Sequence, residues 1–403
     1  MEQWKPIDGG INAAMGFTSA GVEARLHYRG RPDIGLALCS TRASAAAVFT
    51  QNRCASPTIA CDKERLAQTG GYARAVVVNA GNANAATGER GFADAKAMCD
   101  RAAEKLGIDP AETLVASTGV IGQFLPMDKT LNGINAAVDA VKQGGNELFS
   151  SAILTTDLVE KTSAVETIID GKRTRIGGCA KGSGMIAPNM ATMLAFISTD
   201  AAAAPEFLGQ ALRRAAAKTF NRMSVDGDCS TNDLALVMAS GMSAQIESHT
   251  DAADAFEAGL ERVCRDLAIQ IARDGEGATA LIEVTVNGAR TEEEAETAAR
   301  AVAESSLVKT AVYGKDANWG RILCALGYSG AQFDPKNVSL RLGDIELVKE
   351  GQPLHYSEEK ASASLSEDPV RISADLGAGG GHAVFWTCDL THGYIDINAS
   401  YRS

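Results

Sequence analysis

A layered α/β fold is what this sequence predicts, and three observations predict it. Strand-like and helix-like segments alternate along the chain. Glycine clusters and polar turns separate them, with 40 glycines among 403 residues and no internal repeat. The composition, 45% hydrophobic and 22% charged, suits a chain that buries a core through most of its length.

The elements follow in order. Ala75 to Asn79 is a run of β-branched residues that reads as a buried strand feeding a polar glycine loop, Asn79-Ala-Gly-Asn-Ala-Asn84. Phe92 to Leu106 has apolar residues at helical spacing and stops at Gly107. Thr113 to Ala116 reads as a short strand entering Ser117-Thr118-Gly119, and Met127 to Val141 as a helix closed by Gly144-Gly145. Asp170-Gly171 joins two strand-like runs, a hairpin signal, and the second run empties into Cys179-Ala-Lys-Gly-Ser-Gly184. Thr192 to Thr199 reads as a core strand, and Glu206 to Phe220 and Asp251 to Arg273 as alanine-rich helices. Thr291-Glu-Glu-Glu294 has the form of a capping box that opens a helix to about Glu304. From about Val338 the pattern is mostly strand and turn.

Several function classes drop out. The net charge is −12, from 38 basic and 50 acidic residues, with no basic stripe to grip a nucleic acid. No segment approaches the roughly 20 apolar residues of a membrane helix, and the start lacks the order of a signal peptide. The cytoplasm is the expected location. Nine cysteines without a C-x-x-C pair suit a reducing compartment, and five histidines without ligand spacing give no metal site. Gly377-Ala-Gly-Gly-Gly381 lacks the last glycine of a dinucleotide loop. Gly178-Cys-Ala-Lys-Gly-Ser-Gly184 has Lys before Gly where a phosphate loop needs Gly before Lys. No cofactor is expected. Asp226-Gly-Asp228-Cys-Ser230 alternates oxygen side chains like a calcium loop, but its twelfth position is Val237, so an Asx turn is the better reading.

The segment from Lys181 to Leu194 carries chemistry. A glycine loop runs abruptly into a strand whose first residue is Thr192. Cutting the chain before a threonine frees an α-amine, with an ordinary pKa of about 7.7–8.0, beside that residue's own hydroxyl. Nucleophile and base then belong to one residue. The plain alternative is a β-branched residue opening a strand.

Asn189-Met-Ala191-Thr192-Met-Leu194, with Ala180-Lys181-Gly-Ser-Gly-Met185 before it, resembles the self-processing site of the ornithine acetyltransferase (glutamate N-acetyltransferase) family. The resemblance extends over nearly the whole chain. It takes in Val76 to Asn84, Ser117-Thr118-Gly-Val-Ile-Gly122, Leu154-Thr155-Thr-Asp157 and Ser224 to Asn232. Asp274-Gly-Glu276-Gly-Ala-Thr279, Asp316-Ala-Asn-Trp-Gly-Arg321 and Ile397-Asn398-Ala-Ser-Tyr-Arg-Ser403 continue it. Asp157-Leu158-Val159 departs from the Asp-Thr common in the family.

The resemblance implies a sandwich of sheets covered by helices, of the N-terminal-nucleophile kind. It implies autocatalytic cleavage between Ala191 and Thr192, giving an alpha subunit (1–191) and a beta subunit (192–403) that associate two of each. Thr192 would be the nucleophile, and Thr118 and Gly119 the oxyanion hole. Thr155, Lys181, Thr192, Glu276, Asn398 and Ser403 would bind substrate. By charge, Lys181 suits a carboxylate and Glu276 an ammonium. The implied reaction moves an acetyl group from acetylornithine to glutamate within arginine synthesis, and some members also accept acetyl-coenzyme A as donor. Two rivals are an amidohydrolase or aminopeptidase that passes the acyl group to water, and an uncleaved amino-acid-binding protein.

Overall fold

The computed structural model describes residues 4–187 and 193–399. The chain forms two units, one of residues 1–182, 188–221 and 229–267, the other of 183–187, 222–228 and 268–403. The first begins with β1 (Lys5–Pro6), β2 (Phe17–Val22), β3 (Ile34–Phe49), α1 (Pro57–Thr69), β4 (Tyr72–Asn82), α2 (Gly88–Leu106), β5 (Thr113–Val120), α3 (Met127–Lys142) and α4 (Phe149–Ala152). It continues through β6 (Lys161–Ile169), β7 (Lys172–Lys181), β8 (Leu194–Thr199), β9 (Ala202–Ala203), α5 (Pro205–Lys218), β10 (Leu234–Ala239), β11 (Gln245–Ile246) and α6 (Asp251–Arg273). The residues of α6 from Ala268 on count with the second unit.

Nine strands make one sheet in the order β1-β6-β7-β8-β10-β3-β4-β5, with β2 also paired to β3. Successive side chains of a strand face opposite sides, and β4 buries both. Val76 and Val78 join a core with Leu114, Phe149 and Phe196. Ala75 and Val77 join another with Met98 and Cys99 of α2 and Ile134 and Val138 of α3. This two-sided burial is why the segment reads as an unbroken apolar run. Helix α2 ends as expected at Gly107, whose φ of 71° lets its N–H reach the Ala103 carbonyl. The β6–β7 hairpin also forms, with Asp170 and Gly171 at φ 49° and 74°.

Strand β8 lies antiparallel to β7, with Lys181 opposite Leu194, and parallel to β10. Cys179, Leu194, Phe196 and Leu236 share one core. Residues on the two sides of the Ala191–Thr192 bond therefore complete a single sheet, and neither side holds that core alone.

The second unit contains β12 (Leu281–Ala289), α7 (Glu292–Glu304), α8 (Ser306–Tyr313), α9 (Trp319–Tyr328), β13 (Ser339–Leu342) and β14 (Ile345–Lys349). After these come β15 (Gln352–Pro353), α10 (Glu358–Ser364), β16 (Val370–Asp375), β17 (Gly381–Cys388) and α11 (His392–Ala399). Its sheet runs β15-β14-β13-β16-β12-β17. Thr291 caps α7 by accepting from the Glu294 N–H at 3.2 Å, as its capping-box form predicts. The alanine face of α7 (Ala295, Ala298, Ala299) lies in the core with Val284, Val286 and Phe385 of the sheet.

Both units are mixed α/β layers, so the predicted class holds. Differences lie in elements whose sequence is ambiguous. Strand β3 is rich in alanine and serine, which favour no pleated surface, and it exists because β2, β10 and β4 pair with it. The final third also contains α10 and α11, short helices that a strand-and-turn pattern hides. No described helix is long and apolar enough to cross a membrane.

Candidate active site

Thr118 and Gly119 end β5, in register with Ala80 and Gly81 of the parallel neighbour β4. Gly119 has a φ of 132°, and a Cβ there would lie 2.3 Å from the Gly81 carbonyl carbon, so only glycine fits. Asparagines brace this end of the sheet. Ser117 Oγ donates to Asn79 Oδ1 at 2.6 Å, and Asn79 Nδ2 donates to the Asn82 carbonyl at 2.8 Å. Asn232 Nδ2 donates to the carbonyls of Ala83 (2.5 Å) and Ser117 (2.8 Å). Each bond satisfies a buried backbone or amide group that would otherwise lose water without compensation. The Thr118 side chain is half-buried and makes no hydrogen bond to another described residue. A fixed N–H beside an uncommitted hydroxyl is the equipment of an oxyanion hole.

Lys181 and Thr155 meet through a residue that the sequence reading leaves outside the site, Asp157. Its buried carboxylate accepts from Lys161 Nζ at 2.7 Å, from the Gly182 N–H at 2.7 Å and from the Thr155 N–H at 3.1 Å. Lys181 Nζ lies 3.8 Å away, close enough to pair but too far for a hydrogen bond. Burial alone would raise the Asp157 carboxyl, but Lys181 and Lys161 outweigh it and hold it well below the ordinary carboxylate range. Two lysines therefore face the one Asp157 carboxylate in this buried cluster. Arg31 Nη2 donates to the Thr155 carbonyl at 2.9 Å, fixing that residue from the other side.

In the second unit Glu276 is buried, and Asn398 Nδ2 donates to its Oε2 at 2.7 Å. The Glu276 N–H donates to the Ser183 carbonyl at 2.9 Å. A Cβ at Gly184 would fall 2.3 Å from the Glu276 carboxyl, so this position too admits only glycine without displacement. Glu276 has no cationic partner among the described residues. Asp226 accepts from the N–H groups of Met185 (2.6 Å) and Ile186 (2.8 Å), and from that of Asp228 at 3.3 Å. The expected Asx turn therefore forms, and the same carboxylate holds the segment Ser183–Ala187. Tyr394 OH donates to Asp226 at 3.3 Å, and burial followed by the Asp226 charge pushes its phenol up. Among the described residues no group of three or more His, Cys, Asp or Glu side chains is placed to hold a metal.

Of the residues singled out from sequence, Thr155 and Lys181 come together in the first unit and Glu276 and Asn398 in the second. Ala191, Thr192 and Ser403 lie outside the described residues. The sequence reading passes over Asp157, Asn79, Asn232 and Asp226 as site residues. All four stand inside the motifs it singles out, and that was the available signal: polar side chains that satisfy backbone groups look, in sequence, like ordinary loop residues.

Each unit is a layered α/β structure with its own cluster of buried polar and charged side chains, a chemistry that suits a protein handling small polar molecules better than apolar ones. The ArgJ family model matches residues 18–403, and the chain belongs to that family. It is 49% identical over 399 residues to the arginine biosynthesis bifunctional protein of Geobacillus kaustophilus, covering 98% of this chain and 97% of the relative. The protein of the same name from a Synechocystis strain is 46% identical over 414 residues, covering the whole of both. The crystal structure of the Bacillus halodurans protein of that name is 48% identical with a TM-score of 0.51, covering 52% of this chain and all of that one.

Proposed function

We propose that this chain moves an acetyl group from N-acetylornithine to glutamate through an acetyl-Thr192 intermediate, after cutting itself between Ala191 and Thr192. Its enzyme class is that of its family: an acyltransferase of arginine biosynthesis. The observation that carries this reading is the family match from residue 18 to residue 403, which includes every motif on which the mechanism depends.

Cleavage gives Thr192 a free α-amine, which takes the proton of its own hydroxyl as that oxygen attacks the acetyl carbonyl. Thr118 and Gly119 receive the developing oxyanion. Ornithine leaves with the proton, and glutamate then attacks the ester and departs as N-acetylglutamate. Lys181 suits the substrate carboxylate, with Thr155 beside it, while Glu276, oriented by Asn398, suits the ornithine ammonium. Ser403 completes the proposed binding set. The fragments are residues 1–191 and 192–403, associated two of each in the cytoplasm. Acetyl-coenzyme A as an alternative donor belongs to the same proposal and is read out by the release of free thiol.

A denaturing gel with N-terminal sequencing tests the cleavage. Purified protein runs as two bands rather than one of 42.0 kDa, and the beta band begins at Thr192. Thr192→Ala stays full length, and two normal fragments from that variant would remove Thr192 from the role. Kinetics test the transfer. Double-reciprocal plots are parallel, and enzyme given acetylornithine alone carries one acetyl group on the peptide that begins at Thr192. Intersecting plots with no labelled peptide would replace this route with direct transfer between two bound substrates. Acetate released at full rate without glutamate would point to a hydrolase instead.

A further inference from the structure

Away from these clusters, the packing of α1 on α2 buries a second set of reactive groups. Glu64 of α1 pairs with Lys96 of α2 at 3.0 Å, and Arg65 of α1 pairs with Asp100 of α2 at 2.7 Å. One turn before Arg65 stands Cys61, and next to Asp100 stands Cys99. Both thiols are buried in the same helix-to-sheet core. Cys61 lines a cavity of about 260 Å³ together with Arg65, Lys96 and Asp100, and Cys99 is not among its lining residues.

The charges around Cys61 are incompletely matched. Arg65 is 4% exposed, its Nη1 donates to the Pro110 carbonyl and its Nη2 to Asp100, but its Nε is buried with no partner. The neighbouring Asp62 accepts from the Val115 N–H at 2.8 Å through one oxygen, and its other oxygen is unpartnered. Burial pushes the Asp62 carboxyl well up. Cys61 lies one turn before Arg65 on α1 and lines the same cavity, so a thiolate there would offer an acceptor to the unpartnered guanidinium Nε. The Cys99 thiol, and then Arg65, draw the Cys61 thiol below the ordinary cysteine value against the opposing effect of burial, whereas burial holds the Cys99 thiol well above it.

We propose that Cys61 and Cys99 are an oxidation site for small hydroperoxides, with Cys61 attacking from the cavity and Cys99 resolving the product as an intramolecular disulfide. The Cys61 thiolate attacks the near peroxide oxygen. An S–O bond forms, the O–O bond breaks, and the leaving oxygen takes a proton to depart as water or an alcohol. The sulfur of Cys99 then attacks the sulfur of Cys61. The S–S bond forms, the S–O bond breaks, and hydroxide carries off the Cys99 proton as water. Two thiols lose two electrons in all, and the peroxide gains them. A pair split into one reactive and one inert thiol is the arrangement of redox-sensing cysteines in a reducing compartment.

The full-length chain has its own comparison built in, because Cys54 and Cys324 are exposed. Folded protein is treated with hydrogen peroxide at neutral pH, quenched with iodoacetamide under denaturing conditions, digested and analysed by mass spectrometry. The expected product is a cross-linked Cys61–Cys99 peptide that forms at peroxide levels leaving Cys54 and Cys324 still alkylated. In Cys99→Ser the cross-link is lost and a dimedone adduct accumulates at Cys61. Full alkylation of Cys61 and Cys99 at peroxide levels that oxidise Cys54 or Cys324 would overturn the proposal. A dimedone adduct at Cys61 in the unmutated protein with no cross-link would overturn the role of Cys99.

Discussion

The two polar clusters handle buried charge in opposite ways. In the first unit, Lys181 and Lys161 share the Asp157 carboxylate, so the charges are largely matched before any ligand arrives and the cluster doubles as structure. In the second, the Glu276 carboxylate is met by the Asn398 amide and, among the described residues, by no cation. A buried carboxylate with only neutral donors gains most when an ammonium binds, whereas a lysine already near an aspartate gains less but stays well placed. The first cluster is therefore expected to pay out in stability when damaged, and the second in affinity.

Asp157→Asn tests the first half of that contrast and carries the largest expected effect. It removes the buried carboxylate charge that faces Lys181 and Lys161 and costs about 3–5 kcal/mol of stability in urea unfolding. The sign with pH follows from the depressed carboxyl: its contribution is complete above about pH 4, the ordinary aspartate value, and fades as pH falls through that value toward the folded one. The acid side of the wild-type stability curve should flatten in the variant. Equal stability of the two proteins at neutral pH would show that Asp157 does not bear the charge.

Thr118→Ala removes a hydroxyl but none of the asparagine bonds that hold β5. Turnover should fall by about 10²–10³, equivalent to about 2.7–4 kcal/mol, with unchanged unfolding. Near-normal turnover in fully processed protein would end the oxyanion role.

Glu276→Gln keeps the shape and the Asn398 contact while deleting the charge. The expected loss is about 1.5–3 kcal/mol in kcat/KM for acetylornithine, with a far smaller change in stability than Asp157→Asn. A variant that unfolds as readily as Asp157→Asn would collapse the distinction between the clusters. Asn398→Ala should cost least, about 0.5–1.5 kcal/mol in the same parameter, because it removes a neutral donor that orients Glu276.

Much of this protein is legible in one dimension. Hairpin β6–β7, the stop of α2 at Gly107 and the cap of α7 by Thr291 each depend on residues within a few positions of one another, so local chemistry writes them directly into the sequence. The Thr118-Gly119 and Glu276 motifs are visible for the same reason, as short runs of glycine and polar residues. Strand β3 could not be read this way, because its alanines become a strand only when β2, β10 and β4 supply the ladder. Nor could the partnership of Asp157 with Lys181, or of Asn232 with Ser117, which are 24 and 115 positions apart. Composition and periodicity record which face of a segment is buried. Which distant side chain satisfies a buried carbonyl or ammonium is decided only when the sheet brings the two together, and there the cost of an unmatched polar group selects the partner.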